Sequence, residues 1–372
     1  MQDNLIRRLF DIPAHNPSFM SVKAATGSSG ELLDFCVPVN IHFPATAMMQ
    51  RLVDQLPEVL RFYPDYADVH QWHIAALEGI DAECVVPANG STEVITALCQ
   101  EAAGPLVTCV PTFGRWTDLP SECGVPLHVV ERRREHGFGI DVAEMIEQAR
   151  IANAATVVLS NPNNPTAAAM PLDDIAALAS ALYDVPTVII DESFIDFSNL
   201  QSATTLVEQL PNVVVVKSMG KSLGWHGIRL GYAAANRQRA EAMRKRLPFW
   251  NVNGVAAFIL RNLADFATEY ATSFEKVARD RDYMTARLRT IRELTVYPSL
   301  ANFVFVELPH GVSGRTLRDR LLAQHGMLVR ETSNKRGSSE QYLRLAVLHP
   351  GATDALEKAL RAELSDLVHA SL

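Results

Sequence analysis

Lys221 stands where an apolar run, Val213 to Val216, gives way to a glycine-containing loop in the stretch VVVVKSMGKSLGWHGIRLGY at 213–232. A primary amine presented at a strand end is a nucleophile once deprotonated, and it forms a Schiff base with a carbonyl carbon. Gly220, Lys221 and Ser222 also spell the end of a phosphate-wrapping P-loop. That loop needs a further glycine five positions before Gly220, and Val215 fills the place, so nucleoside triphosphate chemistry is set aside. Taken alone the lysine would be a solvated side chain. Its meaning depends on what other loops bring to it.

Three loops carry polar residues that suit it. TVVLS opens into NPNNPT at 161–166, where two prolines stiffen a turn and Asn164 becomes a donor; by itself Asn-Pro signals only a turn. TVIID ends in Asp191, a carboxylate that burial makes costly unless it faces a cation or a protonated ring, or caps a helix. PANGSTEVITALCQ at 87–100 places Gly90, Ser91 and Thr92 at a helix start, where N–H groups, hydroxyls and the helix dipole converge on an anion. Glu93 makes the same stretch a capping box. An anion site, a buried acid, an amide donor and a strand-end lysine together describe a pyridoxal-phosphate site.

The elements that must position these loops are visible in the same chain. Residues 84–235 alternate short β-branched runs (CVVP, LVTCV, LHVV, TVVLS, TVIID, VVVV, RLGYAAA) with longer Ala/Leu-rich stretches. Runs without polar alternation suit strands buried on both faces, hence a largely parallel sheet between helices, with ligands at the carboxyl ends of the strands. Beyond residue 265 a charged helix around SFEKVARDRDYMTARLRTIRE precedes LTVYP, NFVFVEL, LVRET and YLRLAV, the spacing of a small mixed α+β unit. The first forty residues, rich in Pro, Ser and Gly, read as an arm with little regular structure.

A length of 372 residues suits a large domain with a smaller one. A formal charge of −8, with RRRE at 132–135 read as a solvated loop or helix start, gives no nucleic-acid footprint. Five scattered cysteines lack metal-ligand or disulfide spacing, so no metal is expected. MQDNLIRRLFDIPAHNP has no leader-like apolar core and no later segment reaches the ~18 apolar residues of a membrane span, which points to a cytoplasmic protein without a membrane partner.

Seven motifs in order carry a resemblance: YPD at 63–65, NGSTE at 89–93, PTFGRW at 111–116, NPNNPT at 161–166, DESFIDF at 191–197, SMGKSLGWHGIRLGY at 218–232 and YLRLAV at 342–347. The chain resembles the fold-type I pyridoxal-phosphate enzymes of the class I/II aminotransferase group, in the branch of histidinol-phosphate aminotransferase and threonine-phosphate decarboxylase. The resemblance implies an α/β fold: an arm at 1–40, a large cofactor-binding domain at 41–265 with a mostly parallel seven-stranded sheet, and a small α+β domain at 266–372 packed with the arm. It implies that Lys221 forms the Schiff base and moves the α-proton, that Asp191 pairs with the pyridine nitrogen, that Asn164 donates to the ring's 3-oxygen and that Phe113 stacks on the ring. Ser91, Thr92, Ser218 and Arg229 would hold the phosphate, joined by Tyr63 from the partner of a homodimer. Arg344 would grip the substrate carboxylate, Arg330 the anionic tail, and Asn40 is the remnant of a substrate-contacting motif.

Four positions depart from that pattern: Gly220 replaces a hydroxyl residue, Ala167 a glycine whose conformations alanine disfavours, His226 a small or apolar residue, and Phe194 a tyrosine. Loss of that hydroxyl should raise the proton affinity of the Schiff base. Since most chains with these motifs transaminate, the expectation is an aminotransferase acting on an anionic, phosphorylated or phosphonate, amino acid or amine. A decarboxylase is the alternative, suggested by Phe194 and by SNKRGSSEQYLRLAV at 333–347. A non-catalytic relative should have lost Lys221 or Asp191, and both are present.

Overall fold

The computed structural model of the chain describes Phe10, residues 17–26 and residues 32–371. Most of the segment examined for a leader, residues 1–17, lies outside these. The strands, in chain order, are β1 (Leu33–Phe35), β2 (Val85–Ala88), β3 (Leu106–Val110), β4 (Leu127–Glu131), β5 (Thr156–Ser160), β6 (Thr187–Asp191), β7 (Val213–Ser218), β8 (Gly231–Ala235), β9 (Thr295–Val296), β10 (Phe303–Glu307), β11 (Met327–Glu331) and β12 (Tyr342–Ala346).

Each of the seven apolar runs becomes a strand of one sheet, ordered β2-β8-β7-β6-β5-β3-β4. Strands β3 to β7 pair in parallel, while β8 runs antiparallel to both β7 and β2. Residues of β5, β6 and β7 are buried throughout, because helices cover both faces: one layer packs around Val213, Val215 and Tyr232, the other around Val214, Val216 and Trp116. Ser160 lies opposite Asp191, and Asp191 opposite Val216, so β5, β6 and β7 bring their carboxyl ends to one edge.

The helix Ala267–Arg289 leads to a second sheet, ordered β1-β11-β12-β10-β9, with its own apolar core. Here the arm departs from expectation. It contains a helix, Phe19–Thr26, and its strand β1 pairs in parallel with β11, burying Phe35 against that core. Three residues are too few to register as a strand locally; the edge of β11 makes them one.

RRRE also differs from its reading. Arg132 is buried and donates to Phe138 O at 3.1 Å, whereas Arg133 and Arg134 are surface residues paired with Glu144 and Glu307. Among the described residues no helix is long and apolar enough to cross a membrane.

Candidate active site

Lys221 lies on a single helical turn, Met219–Ser222, directly after β7, and lines a pocket with Phe113, Asn164, Asp191 and Phe194. The ends of four strands, β3, β5, β6 and β7, thus converge as strand-end chemistry requires. Burial, opposed by Asp191 and helped by the cationic Arg344 and Arg229, lowers the Lys221 ammonium to about 8. Phe194 presents its ring 4.8 Å from Lys221 Nζ and meets Phe303 edge-on, so an apolar wall stands where a hydroxyl would be in the usual pattern.

Asp191 is held from two sides. Its Oδ2 accepts the Trp116 indole N–H at 2.7 Å and its Oδ1 the Ser193 backbone N–H at 3.1 Å. Trp116 was given no role from the sequence, although a fully buried tryptophan needs a partner for its N–H and closes the PTFGRW motif.

Asn164 accepts Arg344 Nη1 on its Oδ1 at 2.7 Å, which turns its amide N–H groups the other way. Arg344 also donates Nη2 to Cys36 O at 2.5 Å, while its Nε is buried without a hydrogen-bond partner. Burial, helped by Arg330, depresses its guanidinium to about 10.

Directly across the β11–β12 ladder from Arg344 lies Arg330, so two buried guanidiniums are strand neighbours. Arg330 donates to Asn334 Oδ1 at 2.6 Å. Lys335 joins them: buried, 5.7 Å from the Phe113 ring centroid, donating to Thr112 O at 3.3 Å, and pushed well below its ordinary value by burial and by both arginines. The hydrogen bonds of Lys335 to Thr112 O and of Arg344 to Asn164 Oδ1 and Cys36 O end on neutral oxygens. Like charges opposite one another destabilise a sheet, and an anion placed between them relieves that cost.

At the far end, Ser91 opens the helix Ser91–Glu101 as its first residue, with Gly90 as N-cap at φ 76°. A Cβ on Gly90 would lie 2.5 Å from Arg229 Nη2, so the bare glycine admits the guanidinium to the helix N-terminus. Thr92 follows on the same turn, and Ser218 ends β7 opposite Gly231. The capping box closes differently from its reading: Glu93 accepts the Asn89 N–H at 2.7 Å, outside the helix.

Two sequence candidates, Asn40 and Tyr63, do not line this pocket. Asn40 donates both amide hydrogens, to Ser222 O at 3.0 Å and Ser273 Oγ at 2.7 Å, and accepts from His42 N. It braces the lysine turn. Tyr63 is 81% exposed and rests its ring on Trp250, 4.8 Å between centroids. Ala167 keeps the left-handed conformation, φ 60°, despite its Cβ, with that methyl in the second core.

The chain belongs to the aminotransferase class I and II family, which matches residues 31–362. It is a pyridoxal-phosphate-dependent enzyme of the fold-type I class. It is 29% identical over 371 residues to an L-serine phosphate decarboxylase of Sulfurospirillum multivorans, covering 95% of this chain and 93% of that one. A solved decarboxylase of the same organism superposes with a TM-score of 0.88 at 27% identity, covering 98% and 96% of the two chains. The histidinol-phosphate aminotransferase of Sinorhizobium meliloti, solved with pyridoxal-5'-phosphate, shares the fold with a TM-score of 0.83 at 21% identity over 98% and 97%.

The residues fit the cofactor. A lysine amine lowered to about 8, an acid oriented by two donors, an amide turned by Arg344 and a glycine-opened helix N-terminus are the donor set that an aldehyde, a pyridine nitrogen, a phenolic oxygen and a phosphate require.

Proposed function

We propose that this protein is a pyridoxal-phosphate-dependent decarboxylase of an O-phosphorylated amino acid, of the L-serine phosphate type. The observation that carries the substrate class is the buried triad Arg330, Lys335 and Arg344, gathered where Asn164 and Phe113 border the pocket. The similarity to an L-serine phosphate decarboxylase over 95% of the chain favours loss of carbon dioxide over amino transfer. This reverses the order expected from the motifs, where transamination came first; Phe194 beside Lys221 agrees with the reversal.

When bound, the cofactor supplies an electron sink for the pair left at Cα. The chain's residues do the rest. Arg344 offers a planar fork to the α-carboxylate, and Arg330 with Lys335 faces the phosphate. Lys221, with a proton affinity near neutrality, holds or gives up a proton at Nζ within the working range. Asp191 stays oriented by Trp116, and Phe113 and Phe194 wall the pocket with aromatic surface.

The working form we infer is a homodimer. What supports it is that Tyr63 is exposed on an aromatic platform with Trp250 and Tyr66, as a residue offered to a partner subunit's phosphate site would be. The division into an arm at 1–40, a large domain at 41–265 and a small one at 266–372 accords with the two sheets, and a cytoplasmic location with the scattered free cysteines.

The test is direct. Holoenzyme given L-phosphoserine without a keto acid should release carbon dioxide and the phosphorylated amine over many turnovers while its visible band persists. Stoichiometric bleaching of the band with one equivalent of keto acid would instead establish an aminotransferase.

A further inference from the structure

Two of the departures from the family pattern, Gly220 and His226, meet in one contact. A Cβ on Gly220 would lie 3.2 Å from Trp225 O and 3.4 Å from His226 Cα, so a serine or threonine there would push that loop outward. With glycine the loop closes onto the lysine turn and carries the His226 ring to the Pro38 carbonyl, Nε2 to O 3.3 Å. A carbonyl only accepts, so Nε2 carries the hydrogen. Burial and the nearby Lys221 keep the imidazole neutral, its proton affinity lowered to about 4.

Pro38 belongs to a strap, residues 36–43, that runs from the end of β1 across the lysine turn. Its first residue is fastened to the substrate side of the site, where Cys36 O accepts Arg344 Nη2. Further along, the Asn40 N–H donates to Lys221 O at 2.9 Å and the Asn40 amide to Ser222 O. Gly224, at φ 72°, lets the strap pass: a Cβ there would lie 1.8 Å from Phe43 O. Asp34 Oδ1 holds the start of the strap, accepting the Cys36 N–H at 2.8 Å and the Val37 N–H at 3.1 Å, and His226 adds the tie from the lysine turn at Pro38. The strap therefore spans the distance between the arginine that would take the carboxylate and the lysine that would handle the proton.

We propose that His226, seated by Gly220, is a positioning residue that fixes this strap and so sets the angle at which Arg344 presents a substrate carboxylate relative to Lys221. That angle selects which bond at Cα stands perpendicular to the cofactor ring and breaks. The inference rests on the decarboxylase reading above for its direction, though not for the fastening itself.

The experiment compares His226→Leu, His226→Gln and Gly220→Ser with the wild-type holoenzyme by two readouts. One is hydrogen exchange of the peptide covering 36–43; the other is the share of turnovers of L-phosphoserine that end in keto acid in place of carbon dioxide. Loss of the hydrogen bond in His226→Leu should speed exchange in the strap about tenfold and raise the keto-acid share by a similar factor, the scale of one hydrogen bond. His226→Gln retains an N–H donor of similar reach and should restore both. Gly220→Ser should mimic His226→Leu, and in a His226→Ala background should add nothing further. Unchanged exchange and product share in His226→Leu, failure of His226→Gln to restore them, or additive effects of Gly220→Ser and His226→Ala would overturn the proposal. A wild-type enzyme that makes keto acid from the outset defeats the decarboxylase reading, and the exchange data and the movement of product share then still decide on the strap.

Discussion

The indole N–H of Trp116 meets Asp191 Oδ2 at 2.7 Å, across 75 residues of sequence, and the two side chains are almost wholly buried. Asp191 thereby owes its orientation to an aromatic residue on a neighbouring helix as well as to its own turn. A hydrogen bond to a charged acceptor contributes about 1.5–3 kcal/mol. Trp116→Phe should therefore weaken cofactor binding roughly ten- to hundredfold at 1.36 kcal/mol per decade, measured by equilibrium dialysis of refolded apoenzyme. An unchanged affinity would show that Ser193 alone suffices to hold the acid.

Lys335 gives the cleanest separation of tail recognition from chemistry, because Lys335→Met removes the charge and keeps the apolar stem. The KM for L-phosphoserine should rise about ten- to hundredfold, while kcat/KM for unphosphorylated serine stays within roughly threefold, as one charge-assisted bond would dictate. Equal losses on both substrates would place Lys335 in the scaffold. Arg330→Ala should follow the same pattern with a greater structural cost, since it leaves the Arg344 ladder partner behind.

The amine of Lys221 is held down to about 8 by burial, Arg344 and Arg229. Only the unprotonated amine attacks a carbonyl, so uptake of pyridoxal phosphate by apoenzyme should accelerate with pH and level off above about 8, well below the 10.5 of free lysine. Asp191→Asn removes the one group that pulls in the opposite direction and should move the midpoint lower. A stopped-flow absorbance series over pH 6 to 10 reads it, and a midpoint near the free-lysine value would contradict the burial seen here.

Glu192, next to Asp191 on the other face of the sheet, is fully buried; it accepts the Ala203 N–H at 2.7 Å and the Ser202 hydroxyl. Burial raises its carboxyl from 4.5 to about 7. Between those values the folded protein binds a proton that the unfolded chain releases, so this contribution is full below about 4.5 and is lost as pH rises through about 7. Glu192→Gln is neutral at every pH and should leave Tm little changed at pH 5 but raise it at pH 8. The difference corresponds to about 3 kcal/mol at 1.36 kcal/mol per pH unit. Calorimetry at the two pH values decides, and a Tm difference that does not grow with pH removes Glu192 from the account.

Behind the lysine turn, Lys217 is buried between Glu78, 2.9 Å away, and Asp196 at 2.7 Å. Removing one partner of a buried ion pair costs about 3–5 kcal/mol, because the other charge is left uncompensated. Glu78→Gln should therefore lower the denaturant midpoint strongly while leaving the KM for substrate unaltered in the folded fraction. A surface-like effect under about 1 kcal/mol would mean that Asp196 alone neutralises the lysine.

What the chain determined by itself was the large sheet and the loops that end its strands. Seven apolar runs without polar alternation have one stable solution, burial on both faces, and parallel pairing then delivers Asn164, Asp191 and Lys221 to a common edge. Local pattern suffices for that, because each run buries itself wherever its neighbours lie. It does not reach the contacts that orient the site. The Arg344 bonds to Asn164 and Cys36 span 180 and 308 residues, and nothing near any of the three announces the others. The opposition of Arg330 and Arg344 is a matter of ladder register, the burial of Lys335 depends on Phe113 from the other sheet's unit, and β1 is a strand only because β11 offers it an edge. Arg132 was misread and Trp116 passed over for one reason: a polar side chain's partner is chosen by the fold, and until that partner is known its hydrogen bonds cannot be apportioned.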